Sequence, residues 1–186
     1  MHTDKPKLLL FVLGKKGISV LKAALESKHK VTIYVVVASD SGVLKDFYQE
    51  ITLLCEQEDL TYIDRNKFEQ SEVGAFDYAI AAGWRWLIER TFKQPLIILH
   101  DSLLPRYRGF APLVNALINK ESKVGVTALV AADEYDKGDI ITQVEMEVIY
   151  PTFIEKEINR LSKLYFDITL SVVNELLLGS LHAKPQ

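Results

Sequence analysis

Apolar residues along the chain follow two alternating patterns. Pro6 to Leu13 (PKLLLFVL) is a continuous aliphatic run, which predicts a strand buried on both faces. Gly14-Lys15-Lys16-Gly17 reads as the turn after it. In Ile18 to Ser27 the apolar residues Ile18, Leu21, Ala24 and Leu25 recur at helical spacing. His29 to Val37 is rich in β-branched residues and predicts a second strand. Leu44 to Glu58 carries Phe47, Ile51, Leu54 and Cys55 on one helical face, and a short strand follows near Leu60 to Ile63. Phe76 to Trp84 reads as a strand ending in a glycine turn, and Leu96 to Leu99 as the next strand.

The rhythm changes beyond residue 110. Ala111 to Ile118 predicts a helix with Pro112 near its start. Gly125 to Val130 and Ile140 to Val148 are two β-rich runs joined by the acidic turn AADEYDKGD, as in a hairpin-like pair. Phe153 to Leu178 is a long amphipathic helix, followed by at most a frayed tail at His182 to Gln186. Strand–helix alternation over the first hundred residues indicates an α/β, mostly parallel, twisted sheet with helices on both faces. No repeat or linker interrupts the pattern, so residues 1–186 are expected to form one domain.

Composition narrows the function classes. Hydrophobic residues make up 48% and charged residues 25%, as in an ordinary globular domain. A net charge of −3 argues against nucleic-acid partners and against anionic membranes. Cys55 is the single cysteine, which excludes a disulfide framework and a cysteine metal cluster and fits a reducing cytoplasm. Met1 to Lys5 lacks the apolar core of a signal peptide, and no apolar run has the length of a membrane span.

Candidate chemistry concentrates where the Leu96 to Leu99 run meets His100, Asp101 and Ser102. In sheets covered on both faces, ligands bind beyond the carboxyl ends of the strands. Of the four histidines only His100 follows a buried strand into a polar loop. None is spaced as a metal-ligand pair, so no metal is expected. Asp133 to Asp139 is rich in carboxylates, but their order does not match a calcium loop. Brought beside His100, one of them could hold its proton or pass it on. Ser102 lacks the flanking glycines of a hydrolase elbow. Arg85, Arg106 and Arg108 suit either bidentate anion recognition or plain solvent exposure. Gly14 to Gly17 lacks the third glycine of a dinucleotide fingerprint and the Gly-Lys-Ser/Thr of a P-loop.

The string HDSLLPRYRGFAPL, His100 to Leu113, resembles the signature of folate-dependent formyltransferases. Two further stretches agree in order: VGVT at Val124 to Thr127 with DKGDII at Asp136 to Ile141, and DYAIAAGWRWLI at Asp77 to Ile88. The last resembles the donor-pocket loop of members that modify amino sugars. The resemblance implies a Rossmann-like formyltransferase fold with 10-formyltetrahydrofolate as co-substrate and a small-molecule amine as acceptor, an amino-sugar nucleotide being the closest type. An amine attacks the formyl carbon, and an oxyanion develops that an asparagine, a histidine and an aspartate serve. The histidine maps to His100 and the aspartate to Asp136. Gly83, Trp84, Arg85, Trp86, Leu87 and Asp133 would then line the folate pocket, and Ser102, Arg106, Arg108 and Gly109 the acceptor side. Self-association as a homodimer is left open.

The asparagine position is Ile98, which cannot donate a hydrogen bond. The histidine often found two residues past the Gly-Val-Thr corner is Leu129. One amide donor aimed at a developing oxyanion contributes about 3–4 kcal/mol. Two readings follow: an N-formyltransferase whose oxyanion donor has moved, or a catalytically silent relative that binds a folate or nucleotide.

Overall fold

The computed structural model describes residues 5–43, 45–69, 75–88 and 95–186. The chain forms two compact units, Met1–Leu96 and Ile97–Gln186. Among the described residues there are seven strands, four belonging to the first unit and three to the second.

In the first unit β1 (Lys7–Val12), β2 (Thr32–Val37), β3 (Thr61–Asp64) and β4 (Tyr78–Ala82) pair in parallel. Leu8 to Val12 are all buried, so both faces of β1 are covered, as its unbroken aliphatic run requires. Two helices supply the crossovers, α1 (Gly14–Leu25) and α2 (Tyr48–Gln57). The first of these buries Val20, Leu21, Ala23 and Ala24.

The starts of α1 and α2 differ from the sequence reading by about one helical turn. Gly14 to Gly17 form the first turn of α1 rather than a separate turn. A Cβ on Gly17 would lie 2.9 Å from the Cβ of Val12, so close helix–strand packing accounts for this glycine. Helix α2 starts at Tyr48, because Phe47 lies in the left-handed region at φ 60° and the Asp46 carboxylate accepts the Tyr48 N–H at 3.1 Å. Leu44, the expected start of that helix, and the N-terminal stretch Met1 to Asp4 lie outside the described residues.

The second unit is antiparallel. Strands β5 (Leu96–His100), β6 (Lys123–Val130) and β7 (Ile140–Glu147) pair with His100 opposite Thr127 and Ile98 opposite Leu129. Helix α3 (Pro112–Ile118) follows the β5 loop. The long α4 (Ile154–Leu178) buries Leu161, Tyr165, Ile168, Val172, Val173 and Leu176, as its amphipathic pattern demands. Its first turns hold a fully buried carboxylate, Glu157, which accepts from Thr152 at 2.6 Å and Arg160 at 2.7 Å. The tail expected to fray is instead bound, with Lys184 bridging to Ile140. Among the described residues no helix is long and apolar enough to cross a membrane.

Candidate active site

The end of β5 is fixed by hydrogen bonds that leave little freedom to His100. Ser102 N–H folds back onto the His100 carbonyl at 2.9 Å. Its hydroxyl, on a residue only 4% exposed, donates to the Arg106 carbonyl at 2.7 Å. Thr127, opposite His100 on β6, donates its hydroxyl to the Ser102 carbonyl at 2.6 Å. The same oxygen accepts from Leu104 N–H at 3.1 Å and from Gln143 at 2.8 Å. Gln143 also donates to the Leu104 carbonyl, at 2.9 Å. A buried hydroxyl with this full set of partners leaves the loop no cheap alternative geometry.

This loop presents the Tyr107 carbonyl to His100. The Nε2–H of His100 donates to it at 2.9 Å, and Nδ1 lies 3.4 Å from Asp136 Oδ1. The other carboxylate oxygen of Asp136 accepts the Gly109 N–H at 2.8 Å. Both ring nitrogens therefore face oxygens: Nε2–H is hydrogen-bonded, and Nδ1 lies within charge-coupling distance of the carboxylate. The side chains are 10% and 16% exposed, so their attraction is less screened than that of a surface pair. Tyr107, Ala111 and Asp136 all have positive φ without being glycine. Phe47, Asp59 and Lys120, elsewhere in the chain, share that conformation.

Tyr165 of α4 also reaches the end of β5. Its hydroxyl contacts the Leu99 carbonyl at 3.0 Å and donates to Asp101. Burial first, and then the neighbouring Asp101 carboxylate, pushes the Tyr165 phenol well above its usual range.

The remaining expected residues are distributed as follows. Arg106 forks onto Glu121, which also accepts the Tyr107 hydroxyl at 2.5 Å. The Tyr107 hydroxyl, with help from Arg106, holds the Glu121 carboxyl below its usual range. Arg108 is engaged by Gln186. The hydrogen bonds of Ser102, Arg106 and Arg108 thus shape the loop itself. Asp133 is exposed in the turn before Asp136.

In the first unit Gly83 has φ +64°, and Trp84 meets Trp86 edge-on at 5.2 Å. Arg85 pairs with Asp40 at 2.5 Å, and Leu87 is 73% exposed. The indole N–H of Trp84 is buried and has no acceptor among the described residues. Among these residues there is also no cluster of metal-ligating side chains.

Ile98 shares a face of β5 with His100, two residues on. Its cross-strand partner is Leu129, 1% exposed. The two positions where polar residues were expected therefore oppose one another and form an apolar pair.

The formyl transferase family profile matches residues 7–173. This chain belongs to the formyltransferase family. Over 113 residues, 59% of the chain, it is 35% identical to a methionyl-tRNA formyltransferase of Phocaeicola vulgatus, and the match covers 35% of that protein. A methionyl-tRNA formyltransferase of Fusobacterium nucleatum subsp. nucleatum is 37% identical over 95 residues, 50% of the chain and 30% of its own length. The matched stretch thus spans about a third of the length of these curated relatives.

Solved structures share the fold of this formyltransferase-family chain. Glycinamide ribonucleotide transformylase 1 of Symbiobacterium toebii superimposes with TM-score 0.78 at 16% identity, over 99% of this chain and 95% of that one. An N-formyltransferase of Helicobacter canadensis, solved with folinic acid and dTDP-3-aminofucose, also gives 0.78 at 16% identity, over 97% of this chain and 67% of its own.

Sequence reasoning missed Thr127, Gln143, Glu121, Tyr165 and Gln186. Thr127 lay inside the VGVT block and could have been found there. Tyr165 sits on the apolar stripe of α4, where a tyrosine reads as core.

Proposed function

We propose that this protein transfers a formyl group from 10-formyltetrahydrofolate to the amine of a small acceptor, with an amino-sugar nucleotide as the favoured acceptor class. The observation that carries the reading is the juxtaposition of His100 and Asp136, two residues from distant segments, at the end of β5. When bound, 10-formyltetrahydrofolate supplies the activated one-carbon group. The glycine turn and tryptophans of Gly83 to Leu87 suit a flat heteroaromatic ring.

Asp136, fixed by the Gly109 amide, orients His100 and can take a proton from Nδ1. The Tyr107 carbonyl holds Nε2–H and sets the plane of the ring. Arg106, Arg108 and Gly109 shape the acceptor side through the loop they stiffen. The sugar-nucleotide preference is supported by the GWRWLI and HDSLLPRYRG motifs and by the ligand of the Helicobacter canadensis protein.

A second reading, a silent folate or nucleotide binder, is favoured by one observation: the Ile98–Leu129 pair offers no donor where an oxyanion would need one. A panel of amines including amino-sugar nucleotides, assayed for tetrahydrofolate release, separates the two. The first reading expects turnover with at least one amine. His100→Ala and Asp136→Ala should each abolish most of it, and the double variant little more, because residues acting as a unit are non-additive. Folate binding seen as tryptophan quenching, with no turnover on any amine, selects the second reading.

A further inference from the structure

The segment from Lys184 to Gln186 runs beside the acidic turn. Lys184 and Ile140 exchange two backbone hydrogen bonds of 2.8 Å, which hold the segment against the start of β7. Two residues on, the side-chain amide of Gln186 touches both loops that carry the His100–Asp136 pair. Its Oε1 accepts from Arg108 Nε at 3.1 Å and Nη2 at 2.6 Å. Its Nε2 donates to the carbonyls of Asp136 at 2.8 Å and Gly138 at 2.6 Å.

These contacts sit where the geometry of Asp136 is decided. Asp136 has φ +55°, a conformation that a non-glycine residue keeps only when its surroundings impose it. One side of the imposition is the Gly109 amide on the carboxylate, adjacent in sequence to Arg108. Another is Gly138, where a Cβ would fall 1.6 Å from the Val130 carbonyl, so the turn is pressed against β6. The Gln186 amide links the two, with Arg108 on one end and the Asp136 backbone on the other. A side chain doing this needs an acceptor and two donors on one short planar head, which glutamine has and glutamate lacks.

We propose that Gln186 is a positioning residue that sets the approach of Asp136 to His100 by tying the Arg108–Gly109 segment to the Asp136–Gly138 backbone. The inference rests on the reading of His100 and Asp136 as the proton-handling pair. Gln186 itself acts only through Arg108 and Asp136.

The test follows the His100 imidazole by nitrogen NMR across pH in the full chain. Besides Asp136 at Nδ1, the charged and titratable groups around this end of β5 include Asp101, the Tyr165 phenol bonded to it, and Arg106, Tyr107, Arg108 and Glu121 of the adjoining loop network, all left intact in the Gln186 variants. Asp136→Asn calibrates the loss of the carboxylate charge. The expected result is that Gln186→Ala moves the His100 midpoint in the same direction as Asp136→Asn, by a measurable part of its shift. Gln186→Glu should not restore the wild-type midpoint.

In turnover with an accepted amine, kcat should fall about tenfold with the folate KM unchanged, as expected for a misplaced catalytic group. If Gln186→Ala does not fold, judged by circular dichroism, Gln186→Met keeps the stem and the Lys184 bridge and is read in the same way. A His100 midpoint identical to wild type in the Gln186 variants, while Asp136→Asn shifts it, overturns the proposal. So does an Asp136→Asn protein whose His100 does not move. Absence of formyl transfer in the wild type, with the His100 shifts present, removes the catalytic reading and leaves the positioning role standing.

Discussion

Replacing Ile98 with asparagine puts an amide donor on the same face of β5 as His100, where the developing oxyanion would need one. The cost can be worked from the structure. Ile98 is only half-buried, so losing its aliphatic contact costs about 1 kcal/mol, part of the full side-chain value. The new amide faces Leu129, which is 1% exposed and offers no partner. At a half-buried position the amide stays partly hydrated, so the about 1–3 kcal/mol of a fully buried unsatisfied amide is an upper bound. The total, up to about 4 kcal/mol, is survivable for a domain with roughly 5–15 kcal/mol of stability. Against this, one oxyanion donor can raise turnover by up to ~10²-fold. The gain should appear in kcat, with folate affinity little changed, since the donor engages only charge that develops during reaction. The assay is tetrahydrofolate release under saturating amine, run well below a melting temperature measured for the same variant. A folded Ile98→Asn protein with unchanged or lower turnover would refute the reasoning, because the oxyanion would then already be served by another group. Inactivity of both forms across the amine panel would leave the binding reading as the better one.

Three further outcomes follow from buried groups. The Tyr165 phenol keeps its proton well above 10, while an unfolded tyrosine ionises near 10, so the native state binds the extra proton above that pH. Stability from this group is complete below about pH 10 and should fall above it by up to ~1.4 kcal/mol per pH unit. Tyr165→Phe should remove that part of the slope in urea titrations at pH 9 to 11 and cost roughly 1–3 kcal/mol at neutral pH. Arg160→Ala leaves the fully buried Glu157 carboxylate with Thr152 as its remaining side-chain donor. Chemical denaturation should show a loss of about 3 kcal/mol, largely recovered by adding Glu157→Gln. Burial pushes the Cys55 thiol up to about 12, so a thiol reagent at pH 8 should label the native protein only as fast as it unfolds. Rapid labelling without denaturant would contradict the buried position.

Local pattern was enough for the elements and the order of the chemistry. The aliphatic run of β1, the β-branched β2 and the amphipathic α4 each carry their own period, and burial follows from it without long-range information. His100 stood out because a polar triplet ending a buried strand is a position rather than a contact. What the sequence could not contain is distance. That Asp136, of all the carboxylates in AADEYDKGD, meets the imidazole depends on the Gly109 amide, on a positive φ and on a turn pressed against Val130. The opposition of Ile98 and Leu129 depends on an antiparallel register that neither strand specifies alone. A tail that reads as frayed becomes part of the site because Lys184 meets Ile140 and the Gln186 amide finds three partners in two other segments. Periodicity is written one residue at a time, whereas hydrogen bonds between distant segments exist only once the chain has brought their ends together, and the chemistry proposed here is made of such bonds.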